Sequence, residues 1–166
     1  MAVVNRNSTA VANAVATPSV KNNPQRGRAD LQEVVAVVTT AADDTVTSIG
    51  RFFRLPSNAR VSNLLLTNAA ATTAGAIDIG LYDTDGGAVV SQAFFSSAVA
   101  LTAAAAEAEV KGESGTSYTT ANVEKTIWEL LNLTSDPSKM YDVGYFITTT
   151  FILGPTAIAL KARFVA

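Results

Sequence analysis

From Glu33 onward the chain runs in short stretches of β-branched and aromatic residues separated by polar turn clusters. Residues 33–40 read EVVAVVTT, a run suited to a pleated surface, and residues 41–44 turn it. Residues 45–55 follow, with Phe52 and Phe53 expected on opposite faces because strand side chains alternate. Pro56-Ser57-Asn58 turns the chain into Arg60–Asn68, whose three adjacent leucines (Leu64, Leu65, Leu66) predict a strand buried on both faces. Ala76–Asp83 alternates most clearly, with Ile77, Ile79 and Leu81 on one side and Asp78, Gly80 and Tyr82 on the other. The following DTDGG is a hairpin-type turn, its glycines free to take positive φ.

The second half is less regular. Residues 89–101 predict a short strand or an irregular helical piece. Residues 103–106 favour helix by propensity, but in an all-β context they read as a loop entering a strand. One helix is expected over residues 123–132, capped by Asn122, because Val123, Ile127, Leu130 and Leu131 share one face of a 3.6-residue period. Trp128 falls off that stripe and is expected to cover a sheet edge. Residues 140–153 form a long alternating run, Gly154-Pro155 breaks it, and Ala157–Val165 reads as a half-buried strand with Lys161 and Arg163 outward. Seven or eight short strands with one helix in a connection predict an all-β fold, a β-sandwich of jelly-roll type.

Residues 1–29 differ in kind. They are rich in Asn, Ser, Thr, Ala and Val and contain Arg6, Lys21, Arg26 and Arg28 with no acid. So few large apolar residues cannot make a core. The expectation is an extended basic N-terminal arm on a sandwich domain spanning 30–166. The formal charge of the whole chain is −2, which leaves −6 on that body. A cationic arm on an acidic body suits docking onto a neighbouring subunit, with the four basic residues as partner contacts.

The composition removes chemistry before any motif is sought. With no Cys there is no disulfide, thiol nucleophile or thiolate metal site. With no His there is no imidazole base. A negative net charge argues against direct nucleic-acid binding. No stretch reaches the length of a membrane helix, and Asn5 to Thr9 interrupt any apolar signal core. The expectation is therefore a soluble, non-enzymatic protein without cofactor or metal, working by binding. Close to 30% of the residues are Ala or Thr, small side chains that pack flat faces closely.

Some residues still suggest sites. Asp83 and Asp85 at a strand end could ligate calcium, although the remaining oxygen ligands of a calcium loop are missing. Glu107, Glu109 and Glu113 make a loose acidic cluster with no pairing suited to glycoside hydrolysis. Tyr82, Tyr118, Tyr141, Tyr145 and Trp128 could make a carbohydrate platform, or could simply be core packing. Arg51, Arg54 and Arg60 flank two strands and could meet a carboxylate-rich surface or keep a sheet edge soluble.

The order of motifs adds a resemblance. RFFRLPSNARVSNLLL, AIDIGLYDTDGG, AFFSSAVAL, an acidic Gly-Ser loop, TIWELLNLTSDPSKMYDVGYFIT and a final LKARFV together resemble a group of small virion proteins of tailed bacteriophages, over about residues 50–166. The resemblance implies a capsid decoration or cement protein. It would be located in the virion after synthesis in the host cytoplasm, with the major capsid protein and copies of itself, as a homotrimer, for partners. It implies no catalytic residue. A tail, fibre or connector component and a carbohydrate-binding sandwich module are the alternative readings.

Overall fold

The computed structural model describes residues 16–18, 30–40, 44–70, 75–112, 117–119, 121–149 and 157–166. Eight strands among them form two antiparallel sheets. They are β1 (Gln32–Thr39), β2 (Ile49–Pro56), β3 (Arg60–Asn68), β4 (Ala76–Asp83), β5 (Val89–Ala100), β6 (Ala105–Glu109), β7 (Met140–Ile147) and β8 (Ala157–Val165). The first sheet has the order β1-β8-β3-β6 and the second β2-β7-β4-β5. The expected all-β sandwich is therefore present.

The pairing is nested. β4 pairs with β5, β3 with β6, β2 with β7 and β1 with β8, as if one long hairpin had been rolled up. The innermost turn of that hairpin is the predicted glycine turn, where Asp85 and Gly86 take φ of 60° and 78°.

Alternation explains the core. Ile158, Leu160, Ala162 and Phe164 of β8 and Leu64 and Leu66 of β3 face Ile77, Ile79 and Leu81 of β4 and Val143 and Ile147 of β7, all buried. Burial of each such large apolar side chain contributes about 1.5–3 kcal/mol. Phe94 and Phe95 meet edge-to-face at 4.9 Å, and Tyr118 stacks on Phe95 at 5.7 Å.

Several expectations need correction. Leu65 is only half-buried; it sits on the outer face opposite Lys161 and Glu109, so β3 is buried on one face. Phe52 and Phe53 both pack against the core, because a bulge between Arg51 and Phe53 breaks the alternation. β5 is one twelve-residue strand, made irregular by three register shifts against β4. The 103–109 stretch, by contrast, is the expected loop entering a strand, which begins at Ala105.

The helix α1 is only Ile127–Leu130, and its cap is Thr126 instead of Asn122. Glu129 Oε2 accepts from both the Thr126 N–H (2.7 Å) and the Thr126 hydroxyl (2.8 Å), which fixes the first turn there. Asn122 turns away to donate to Ser117 O, and Val123 is left half exposed. Asn132, at φ 56°, ends the helix. The half-buried Trp128 and its neighbour Ile127 dock the helix through backbone N–H groups onto Ser57 O and Ala59 O in the β2–β3 turn. β7 ends at Ile147, and the rest of the predicted long run, from 150 to 153, lies outside the described residues.

Candidate interaction surface

Each sheet has an outer face, and the two are built differently. On the second sheet β7 places Asp142 outward between the core residues Tyr141 and Val143. Asp142 is 6% exposed, and its carboxylate accepts from Arg54 Nε at 2.8 Å. Arg51 Nε lies 3.5 Å from its other oxygen, an ion-pair distance beyond a good hydrogen bond. Arg51 also donates to Gly87 O at 2.9 Å and lies 5.3 Å from the Tyr82 ring centre. Tyr82 is fully buried yet outside the core cluster, and among the described residues its hydroxyl has no hydrogen-bond partner. Burial pushes its pKa up to about 12; Arg51 opposes that and Asp78 adds to it.

Backbone closes the same face. The irregular stretch of β5 crosses so near β4 that a Cβ at Gly80 would lie 2.1 Å from Gln92 O. Asp78 holds this arrangement: it accepts from Gln92 Nε2 at 2.6 Å and from the N–H of Ala98 at 2.8 Å, where the backbone has φ of 54°. The Asp78 and Asp142 carboxylates are satisfied internally and present little to a partner.

The first sheet is open. Glu33 and Arg163, opposite each other in register, pair at 2.7 Å, and Lys161 pairs with Glu107. The Lys161 ammonium holds the Glu107 carboxyl below its usual range. Glu109 accepts from Asn63 Nδ2 at 2.7 Å. Beside this ladder lies β1. Its Val34 and Val38 pack on the core, while Val35 and Val37 are 54% and 60% exposed.

The sequence-predicted sites fare unevenly. Arg6, Lys21, Arg26 and Arg28 lie outside the described residues. Asp83 and Asp85 each take a cation of their own chain: Asp83 pairs with Lys139 and Asp85 with Arg54, each at 2.7 Å. Among the described residues no group of three acidic side chains is placed to hold a metal ion. Arg51 and Arg54 pair with acids of their own chain, Arg51 with Asp142 and Arg54 with both Asp142 and Asp85. Of the residues proposed for an aromatic platform, Tyr82, Tyr118, Tyr141 and Tyr145 are buried and Trp128 is half-buried, so together they make no exposed strip.

Among the described residues, two of the concavities have volumes of about 580 and 500 Å³. The larger is lined in part by Lys111, whose ammonium is engaged with Val61 O and Ser62 O and whose pKa is lowered by burial. The smaller lies between Val89, Leu133 and Tyr141, with the Asp83–Lys139 pair at its rim. Among the described residues no helix is long and apolar enough to cross a membrane. Exposed Val35 and Val37 were missed by sequence reading, since a run of valines does not say which strand ends at a sheet edge.

No family model matches the chain, and no curated protein matches it in sequence. Its fold is similar to that of a chain in the cyanophage Pam1 capsid asymmetric unit, with a TM-score of 0.57 and 13% identity over 90% of this chain and 95% of that one. A chain of the capsid of Ralstonia phage GP4 aligns with a TM-score of 0.45 and 16% identity over 87% of this chain and 90% of that one. The two-sheet sandwich, seen from its own strand order and from the first of these likenesses, is thus an architecture shared with a phage capsid chain.

Proposed function

We propose that the chain is a structural protein of a bacteriophage virion, and within it a capsid decoration or cement protein of the head. The observation that carries the reading is the fold likeness to a chain of a phage capsid asymmetric unit, which spans nearly the whole of both chains. The motif order along residues 50–166 supports it independently. The nested strand pairing supports reading the sandwich as a jelly roll. The absence of Cys and His and the internal pairing of Asp142, Arg51 and Arg54 support a role in binding over one in turnover.

Mechanistically, the sandwich is a rigid body and residues 1–29 are its tether. The body seats on the shell and on sister copies. The arm reaches the major capsid protein of a neighbouring capsomer through Arg6, Lys21, Arg26 and Arg28. Many modest contacts, repeated by the symmetry of the shell, then act through avidity.

Binding of the full chain and of a chain lacking residues 1–29 to capsid shells stripped of the protein tests this. The expected result is hundreds of copies per particle for the full chain and a large loss of occupancy on deletion. A handful of copies per particle would place the protein in the tail or connector. Undiminished occupancy after deletion would remove the arm from the mechanism.

A further inference from the structure

A sheet edge presents unpaired N–H and C=O groups that template another strand, and proteins normally blunt such edges with charge, proline, bulges or shortness. Three of the four edges here are blunted. β6 has five residues, two of them Glu, with Glu107 at φ 53°. β2 ends in Pro56, contains a bulge and presents Arg51 and Arg54. β5 is broken by three register shifts and by Ala98 at positive φ.

β1 has none of these devices. It runs eight residues in unbroken register with β8, has no proline, and bears one charge, Glu33, already paired with Arg163. Among the described residues only β8 pairs with it.

We infer that β1 is the interface of a two-fold dimer, pairing antiparallel with β1 of a second copy so that the two first sheets become one eight-stranded sheet. The strand is complementary to itself. In antiparallel pairing, residues directly opposite share a face, so a two-fold axis must pass through one residue. With that axis at Ala36, Val35 meets Val37 of the other copy and Val34 meets Val38. The exposed valines then form a cluster of four on the outer face. Glu33 falls opposite Thr39, so no like charges meet. Such pairing is isologous and uses the open edge of both copies, which closes the assembly at two instead of propagating a filament. It concerns the isolated chain and does not rest on a virion role.

The test is sedimentation of the purified full chain over a range of concentrations, with the double variant Val35→Lys/Val37→Lys beside it. The wild type is expected to reach a dimer. The variant puts like charges opposite one another and is expected to raise the dissociation constant at least about tenfold, with an unchanged circular dichroism spectrum. Val89→Lys, on the β5 edge, is expected to leave the dimer intact. The register is read separately, since the chain has no cysteine of its own. A mixture of Val35→Cys and Val37→Cys chains should oxidise to covalent dimer several-fold faster than either chain alone. A wild type that stays monomeric or forms a trimer, a dimer unaffected by the lysines, or mixed cysteine chains that cross-link no faster would each overturn the inference.

Discussion

The second sheet conceals polar groups on its outer face, whereas the first displays them. Asp78, Asp142 and Tyr82 are each less than a tenth exposed, held under two arginines and the irregular β5 strand. Glu33, Lys161, Arg163 and Glu107 of the first sheet pair with one another in solvent. A buried charge must be matched within its own chain, because removing one partner leaves the other uncompensated. An exposed pair is already solvated and gives up little when a partner replaces it. The dimer proposed above accordingly uses the first sheet, and removing a charge is expected to cost more stability on the second.

The largest expected effect that would break this contrast concerns Tyr82. Its folded pKa is raised to about 12 from an unfolded value near 10, so the proton is held more tightly in the folded state. Its stabilising contribution is complete below pH 10 and is lost as pH rises through 12, an effect on the order of 2 kcal/mol. Burial also raises Tyr118, Tyr141 and Tyr145, which steepens the same alkaline transition. Tyr82→Phe should blunt it and leave neutral-pH stability unchanged or higher, because the hydroxyl it removes has no partner among the described residues. Urea unfolding midpoints from pH 8 to 12 check this; identical pH profiles for the two proteins would deny the buried phenol.

Asp142→Ala comes next. Arg54 is half exposed, so water recovers part of the loss, and the expected cost is about 2 kcal/mol, read as a lower urea midpoint with an unchanged slope. The smallest effect is expected of Lys161→Gln, which breaks a ladder pair on the open face and should change stability by less than about 0.5 kcal/mol. A Lys161→Gln cost equal to that of Asp142→Ala would erase the distinction between the two faces.

Much of the fold was legible from period and punctuation. The alternation in Ala76–Asp83 and Ala157–Val165 predicted which side chains enter the core, and the DTDGG turn predicted a hairpin. Reading failed where tertiary contacts overrode local pattern. The 3.6-residue stripe at 123–132 suggested ten helical residues, but the Thr126–Glu129 box and the docking of Ile127 on Ala59 confine the helix to four. Phe52 and Phe53 alternate in sequence, and a bulge turns both toward the core. The candidate surface was hardly legible at all: Val35 and Val37 read as ordinary strand residues until β1 was seen at an edge.

The residue order by itself determined the class of the molecule. Chains with short alternating runs and glycine turns bury one face per strand, and a chain with no thiol or imidazole lacks the usual nucleophiles and bases. Tertiary structure decided which strands lie at the edges, which acids are buried and which valines remain in solvent. Those properties depend on neighbours far apart in sequence, such as Arg54 beside Asp142 and Val35 beside Lys161, and no local window contains both partners.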